Sequence, residues 1–364
     1  MLGRCTRRFA HRRGVGAPLD ECARRWNPCL PPVLCKSSGA SPLGARRLAL
    51  VTGTIACAIT ALAAGVSLFA GDGSNTTVAN GTGLNATRAF GYLEKICRIG
   101  PRPSGSRGMT EQQTLLAEHF GRLGAQVAFQ SFDAADPISG EPVRMSNLIV
   151  TWHPKTTERV LIACHYDTRP FPDNDRRDPR GIFVGANDGA SGAALLMELG
   201  NHMAGLPVTR GVDFVFFDGE ELVVQNQGRY FLGSAHFARE YREHPPAYKY
   251  AAAVLVDMIG DRDLNIFMEK NSLRLAPSVT RSVWRTASSL GIREFHAAVR
   301  HDINDDHLPL NEIARIPTCD VIDFDYPYWH TTLDVPHRCS GESLTKVGRV
   351  LLRWVCEPPA KQGP

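Results

Sequence analysis

Several short stretches of this chain set acids and imidazoles at the ends of apolar runs. They are His165-Tyr166-Asp167 after Arg159–Cys164, Asn187-Asp188 just ahead of a helical pattern, Asp218-Gly219-Glu220-Glu221 after Val212–Phe217, Asp257 after Ala252–Val256, and Tyr326 to His330 after Thr318–Phe324. Imidazole nitrogen and carboxylate oxygen are ligands that zinc accepts. So many acids gathered without a cation would raise one another's pKa values and oppose folding. Together they point to a metal site. Singly, each has a plainer reading: a lone His is usually a hydrogen-bonded structural residue, and Asp188 could simply cap the helix that follows it. The Glu220-Glu221 pair narrows the chemistry, because adjacent side chains diverge at a strand end. One carboxylate can then hold metal while its neighbour faces the substrate as general acid or base. A solvated acidic turn is the alternative, although the pair follows the apolar run Phe214 to Phe217. A second acidic group runs from His301 to His307, in which Asp305 or Asp306 could cap a helix from near Leu308 or serve as a proton relay behind the metal.

Such residues converge only if the elements before them run side by side. β-rich apolar runs predict strands at Asn147–Thr151, Arg159–Cys164, Val212–Phe217, Ala252–Val256, Leu264–Met268 and Thr318–Phe324. Helical patterns alternate with them at Thr110–Leu123, ahead of the first, and at Ala190–Met203, Arg229–Glu243, Ser278–Leu290 and Leu344–Val355. This alternation predicts an α/β fold, a three-layer sandwich with a mostly parallel mixed central sheet and helices on both faces. Ligands of such sheets sit at the carboxyl ends of the strands, where these acids and imidazoles lie. One catalytic domain is expected over 88–357, with a short tail at 358–364.

The chain has 364 residues, 43% apolar and 21% charged, which excludes a disordered chain, a collagen and a small disulfide scaffold. Its formal charge is +4, but residues 1–47 carry ten Lys/Arg against Asp20 and Glu21, a net of +8, leaving −4 for the remainder. The body is mildly acidic, so no nucleic-acid partner is expected. From Leu48 to Ala70 no residue is charged, and Arg46-Arg47 precede the run. Such a run is long enough to span a bilayer, which takes about 20 residues. The expectation is a signal anchor at 48–70 that keeps the basic arm, 1–47, in the cytoplasm and the catalytic domain outside it. A leader cleaved near Ala61-Leu62-Ala63 is the alternative. Residues 71–87 read as a polar stalk with sequons at Asn75, Asn80 and Asn85. Beyond the arm and apolar run lie Cys97, Cys164, Cys319, Cys339 and Cys356, an odd number without CxxC spacing. They are expected to act as small buried hydrophobes, with at least one free in a monomeric domain.

At this level of detail the sequence resembles the M28-type zinc aminopeptidases and, within that fold, the glutaminyl-peptide cyclotransferases. The motifs are ACHYDT at Ala163–Thr168, VGANDGASGAALLMEL at Val184–Leu199, FFDGEE at Phe216–Glu221, DDHLPL at Asp305–Leu310 and YWHT at Tyr328–Thr331. The resemblance implies a zinc held by Asp188, Glu221 and His330, with Glu220 as catalytic acid/base. In the two-metal peptidases His165 and Asp257 would add a second zinc, with Asp188 bridging and Asp167 orienting His165. In the cyclases one zinc suffices, Asp257 and Asp305 assist Glu220, and His165 supports from behind. Asp305-Asp306-His307 looks like the cyclase acid-acid-His element. Trp329 looks like the aromatic wall of the cyclase pocket, and Ile303-Asn304 falls where cyclases place an apolar residue and an amide. Two departures touch the pocket walls. Leu222 to Asn226 lacks the Trp of animal cyclases, and no Cys stands near Ala193-Ala194 to pair with Cys164. The resemblance implies cyclisation of an N-terminal Gln to pyroglutamate with release of ammonia. Removal of the N-terminal residue by an aminopeptidase is the alternative, and a catalytically silent binding domain a minor one. Peptide or protein N-termini would be the substrates.

Overall fold

In the computed structural model of the protein, the described residues are 83–224 and 227–357. The basic arm, the apolar run, most of the stalk and the tail lie outside them. The chain runs through α1 (Ala86–Cys97), α2 (Arg107–Arg122), β1 (Gln126–Ala135), β2 (Pro142–Trp152), β3 (Glu158–His165), α3 (Ala190–Met203) and β4 (Gly211–Phe217). A small hairpin, β5 (Val223–Val224) and β6 (Gln227–Gly228), precedes α4 (Leu232–Glu243) and β7 (Lys249–Asp257). Then come β8 (Ile266–Met268), α5 (Lys270–Leu275), α6 (Pro277–Ser289), β9 (Phe295–Val299), α7 (His307–Glu312), β10 (Thr318–Ile322) and α8 (Gly341–Cys356). The main sheet has six strands in the order β1-β2-β4-β3-β7-β10. β4, β3, β7 and β10 are parallel neighbours, while β1 and β2 add an antiparallel edge.

Alternation along the central strands builds two cores. On β3, Val160, Ile162 and Cys164 face the layer of α1, α2, α3, α6 and α8, whereas Leu161 and Ala163 face α4 and α7. On β7, Val254 and Val256 take the first side, and Ala253 and Leu255 the second. This is the expected three-layer α/β sandwich, and all six expected strands and five expected helices are present within a few residues. α4 starts at Leu232 rather than Arg229 because Phe231 takes a left-handed conformation, φ 61°. α1 and the edge strand β1 lie beyond the expected set. Asn85, within the expected stalk, accepts the Arg88 backbone N–H and caps α1, and Arg88 forms two 2.7 Å hydrogen bonds to buried Glu198 on α3. The five cysteines of the domain are free, and all but Cys356 are buried.

The expectation of a single-pass membrane anchor with an extracytoplasmic catalytic domain is corrected. Among the described residues no helix is long and apolar enough to cross a membrane. The run 48–70 on which that expectation rested lies outside them.

β3 and β4 are locked at their starts by a buried ion pair. Arg159 Nη2 and Nε donate to Asp213 at 2.7 and 2.8 Å, and Tyr250 Oη donates to the same carboxylate at 2.6 Å. Arg159→Met leaves Asp213 buried without its cation, so urea unfolding is expected to show a loss of about 3–5 kcal/mol.

Candidate metal-dependent active site

Because β3, β4, β7 and β10 are parallel, the segments following them emerge along one edge. His165 is the last residue of β3 and Asp257 the last of β7. Glu220-Glu221 follow β4, His330 follows β10, and Asp188 precedes α3. Gly189 sets that last approach: at φ 92° it passes the loop where a Cβ would meet the Asp167 carbonyl oxygen at 2.6 Å. Asp188 does not cap α3, whose N-cap is Gly189, and Asp306 holds the N-cap position of α7 without the side-chain bond.

Two groups of potential ligands share Asp188: His165, Asp188 and Asp257, and Asp188, Glu221 and His330, each with its donor atoms within 4.8 Å of one another. His165 Nε2 lies 3.1 Å from Asp257 Oδ1 and 3.2 Å from Asp188 Oδ1. His330 Nε2 lies 2.7 Å from Glu221 Oε1 and 3.4 Å from Asp188 Oδ2. Burial and the charge of Glu221 push Asp188 up to about 7. Burial also opposes charge on Glu221, but His330, His165 and Arg169 outweigh it and hold that carboxyl at about 2. His330 is likewise disfavoured as a cation by burial, yet Glu221 and Asp173 raise it to about 9. Asp188 Oδ2 is buried without a hydrogen-bond partner. Two carboxylates and an imidazole with a spare lone pair aimed inward fit a zinc ion; the second group is a similar donor set.

Supporting residues fix these ligands. Asp334 accepts the backbone N–H groups of Asn187 and Asp188 at 2.8 and 3.1 Å and the Tyr326 hydroxyl at 2.8 Å. Asp167 accepts the N–H groups of Glu220 and Glu221 at 3.2 and 3.0 Å, and lies 3.6 Å from His165 Nδ1. Arg169 donates its backbone N–H to Glu221 Oε2 at 2.7 Å, and Asp173 approaches His330 Nδ1 at 3.4 Å.

A cleft of about 360 Å³ opens over this edge. Asp188, Glu220, Glu221, Asp257, Ile303, Asn304, Asp305, Trp329 and His330 all line it. Burial raises Glu220 well above the usual carboxylate range, with help from Glu221 and Asp305. Trp329 lies 4.1 Å from the His330 ring, and Ile303 packs with Met258, Ile322 and Tyr326. Asp306 and His307 do not reach the cleft. Asp306 accepts the Ser234 hydroxyl, while His307 is buried between Glu269 and Asp320, at 3.4 and 3.8 Å. Sequence reasoning missed Tyr230, Phe231, Met258, Asp302 and Phe324 on the walls. It also missed Arg169, Asp173 and Asp334 behind the ligands. The aromatic pair Tyr230-Phe231 could have been noticed just before a helix, but nothing local marks Asp334, which lies 146 residues from Asp188. His330, Met258 and Phe231 are non-glycine residues with left-handed backbone, φ 55°, 46° and 61°. Strain of about 1–3 kcal/mol per residue is held here by the surrounding packing.

The chain matches Peptidase family M28 over residues 147–355. It is similar to the crystal structure of Fimbriiglobus ruber glutaminyl cyclase, at 42% identity and a TM-score of 0.72, over 75% of this chain and 95% of that one. It is also similar to the structure of a leucine aminopeptidase precursor from Bacteroides thetaiotaomicron, at 29% identity and a TM-score of 0.71, over 76% and 98%. Among curated proteins, the glutaminyl-peptide cyclotransferase of Bothrops jararaca is 27% identical over 58% of this chain, and the match spans 65% of that protein's length.

Zinc added to metal-free protein is expected to raise its thermal midpoint, by about 4 kcal/mol of stabilisation at a thousandfold excess over Kd, and Asp188→Ala should abolish the shift. Asp334→Asn leaves the ligands in place but loosens Asp188, so zinc affinity measured by competition with a chelating dye should fall about 10- to 100-fold.

Proposed function

The chain belongs to peptidase family M28, and from that premise we propose that it is a zinc-dependent glutaminyl-peptide cyclotransferase, converting an N-terminal Gln of peptides to pyroglutamate with release of ammonia. The observation that carries this reading is the slot around Glu220. An aromatic wall, Trp329 with Phe324 at 5.2 Å between ring centroids, and an aliphatic residue, Ile303, line the same cleft as this half-buried acid. The 42% identity to a glutaminyl cyclase supports it.

A zinc ion held by Asp188, Glu221 and His330 would act as a Lewis acid on the γ-carbonyl of the substrate Gln. The α-nitrogen of the same residue attacks that carbonyl carbon, so one C–N bond forms as the carbon–amide nitrogen bond breaks. Glu220 accepts a proton from the α-amine and returns it to the departing ammonia. Its burial keeps its pKa high, which suits a group that must both take and give a proton near neutral pH. Asp257 and Asp305, which line the same cleft as Glu220, accept hydrogen bonds from the amine and orient it. Trp329 and Ile303 clamp the forming ring and exclude water, and Asn304 offers its amide to the substrate backbone.

The second reading, an aminopeptidase hydrolysing the N-terminal residue, is favoured by the second ligand group His165, Asp188 and Asp257. In that case Glu220 deprotonates an attacking water, and the two groups hold a metal each. A peptide beginning with Gln and its match beginning with Leu separate the readings by mass. Loss of one ammonia from the Gln peptide, with the Leu peptide untouched, is the expected result; loss of a whole residue from either overturns it. Glu220→Gln is expected to lower kcat by about 10²- to 10⁴-fold while leaving zinc content unchanged. Activity surviving that substitution would overturn the acid/base role of Glu220, and no turnover of either peptide by the zinc-loaded wild type would instead favour a binding role for the domain.

A further inference from the structure

A second cleft, of about 630 Å³, opens between the end of β1 and the first turns of α4. Phe132, Asp133, Asp136, Arg229, His236 and Arg239 are among its walls. The His236 ring stacks on Phe132 with centroids 4.6 Å apart and planes 19° from parallel, which makes a flat floor. The acids here are already engaged. Asp133 accepts Arg144 Nη1 at 3.2 Å, and Asp136 accepts the backbone N–H groups of Ile138 and Ser139 at 3.0 and 2.8 Å. The arginines are not: both are exposed, and among the described residues neither forms an ion pair. Two arginines without an ion-pair partner among the described residues therefore line a cleft with one carboxylate, Asp136, that likewise lacks one, in a domain whose balance of charge is acidic.

This cleft adjoins the catalytic one through a single stretch of chain. Arg229 and Leu232 line it, while Tyr230 and Phe231 between them line the catalytic cleft. Tyr230 is 43% exposed and forms the ridge between the two. A peptide whose N-terminus lies beside Glu220 would have to pass this segment to reach the second cleft. The catalytic cleft carries the exposed Asp302 on its wall and Asp305 buried within it, and both disfavour acidic side chains close to the reacting residue.

We propose that the cleft between β1 and α4 binds the downstream part of the peptide substrate and selects acidic side chains there through Arg229 and Arg239. This rests on the reading of the catalytic cleft as a site for peptide N-termini. The preference is a property of length: a glutamate directly after the Gln gains nothing, whereas glutamates farther along reach the arginines.

The test compares fluorescently tagged peptides of equal length beginning with Gln, carrying downstream glutamates or downstream lysines, alongside a Gln dipeptide. Wild-type protein is expected to show kcat/KM on the order of tenfold higher for the acidic peptide, from two exposed charge contacts of a few-fold each. The ratio should shrink as salt is raised. The Arg229→Glu, Arg239→Glu double variant should lose or invert the preference with dipeptide turnover and thermal midpoint unchanged. Equal rates for the two long peptides in the wild type, or a preference that survives the double variant, would overturn the proposal. If the dipeptide is not processed, the reading of the catalytic cleft fails on its own, and anisotropy titration of the same tagged peptides decides the second cleft. Tighter binding of the acidic peptide that is lost in the double variant supports it; no difference overturns it.

Discussion

Asp188 is a buried carboxylate with an imidazole on either side and a second carboxylate, Glu221, in the same ligand group. Carboxylates at such spacing cannot all ionise in a low-dielectric interior unless cations join them. The rest of the domain can be understood as the scaffold that makes this unfavourable cluster tolerable. Hydrogen bonds from backbone N–H groups satisfy Asp334 and Asp167, which hold the ligand segments in turn. Arg169 and His330 favour the charged form of Glu221. A divalent ion fits the remaining demand, since it neutralises several acids at one point where scattered lysines would not reach.

Holding that cluster requires a rigid sheet edge. The parallel strands β3, β7 and β10 are buried on both faces, and α3 lies close enough that a Cβ on Gly192 would meet Cys164 Cβ at 2.6 Å. Close packing of this kind fixes the strand ends to which His165 and Asp257 belong. Residues with left-handed backbone then turn the chain sharply where wall and ligand side chains must point inward.

Structures similar to this chain include both a glutaminyl cyclase and a leucine aminopeptidase precursor, so the chemistry of the acid and imidazole cluster alone does not choose between the two reactions. The choice lies with the walls: a slot that closes around one glutamine side chain brings the substrate's own amine to its carbonyl, whereas an open, wet site admits water. Trp329, Ile303 and Phe324 are wall residues here, and they come from the loops beyond β10 and before α7, the first of which also carries His330.

Much was legible in the residues themselves. Uninterrupted apolar runs announce strands buried on both faces, because only side-chain burial sustains such runs, and the acids placed just beyond them fall on one edge once the strands are parallel. Hence the layers, His165, Asp188, Glu220, Glu221, Asp257 and His330 could be assembled from the sequence with the help of family motifs. Edge strand β1 escaped notice because one-sided exposure leaves it a mixed composition, and its place is set by pairing with β2. The cap suggested for Asp188 also failed, and Asp306 holds its N-cap position without the side-chain bond, since a short carboxylate near a helix start can turn to the helix or away from it, and here neighbouring chain segments decide. Asp334, Arg169 and the Tyr230 ridge belong to the same class. Their roles depend on partners far away in sequence, and only tertiary packing brings those partners within a hydrogen bond.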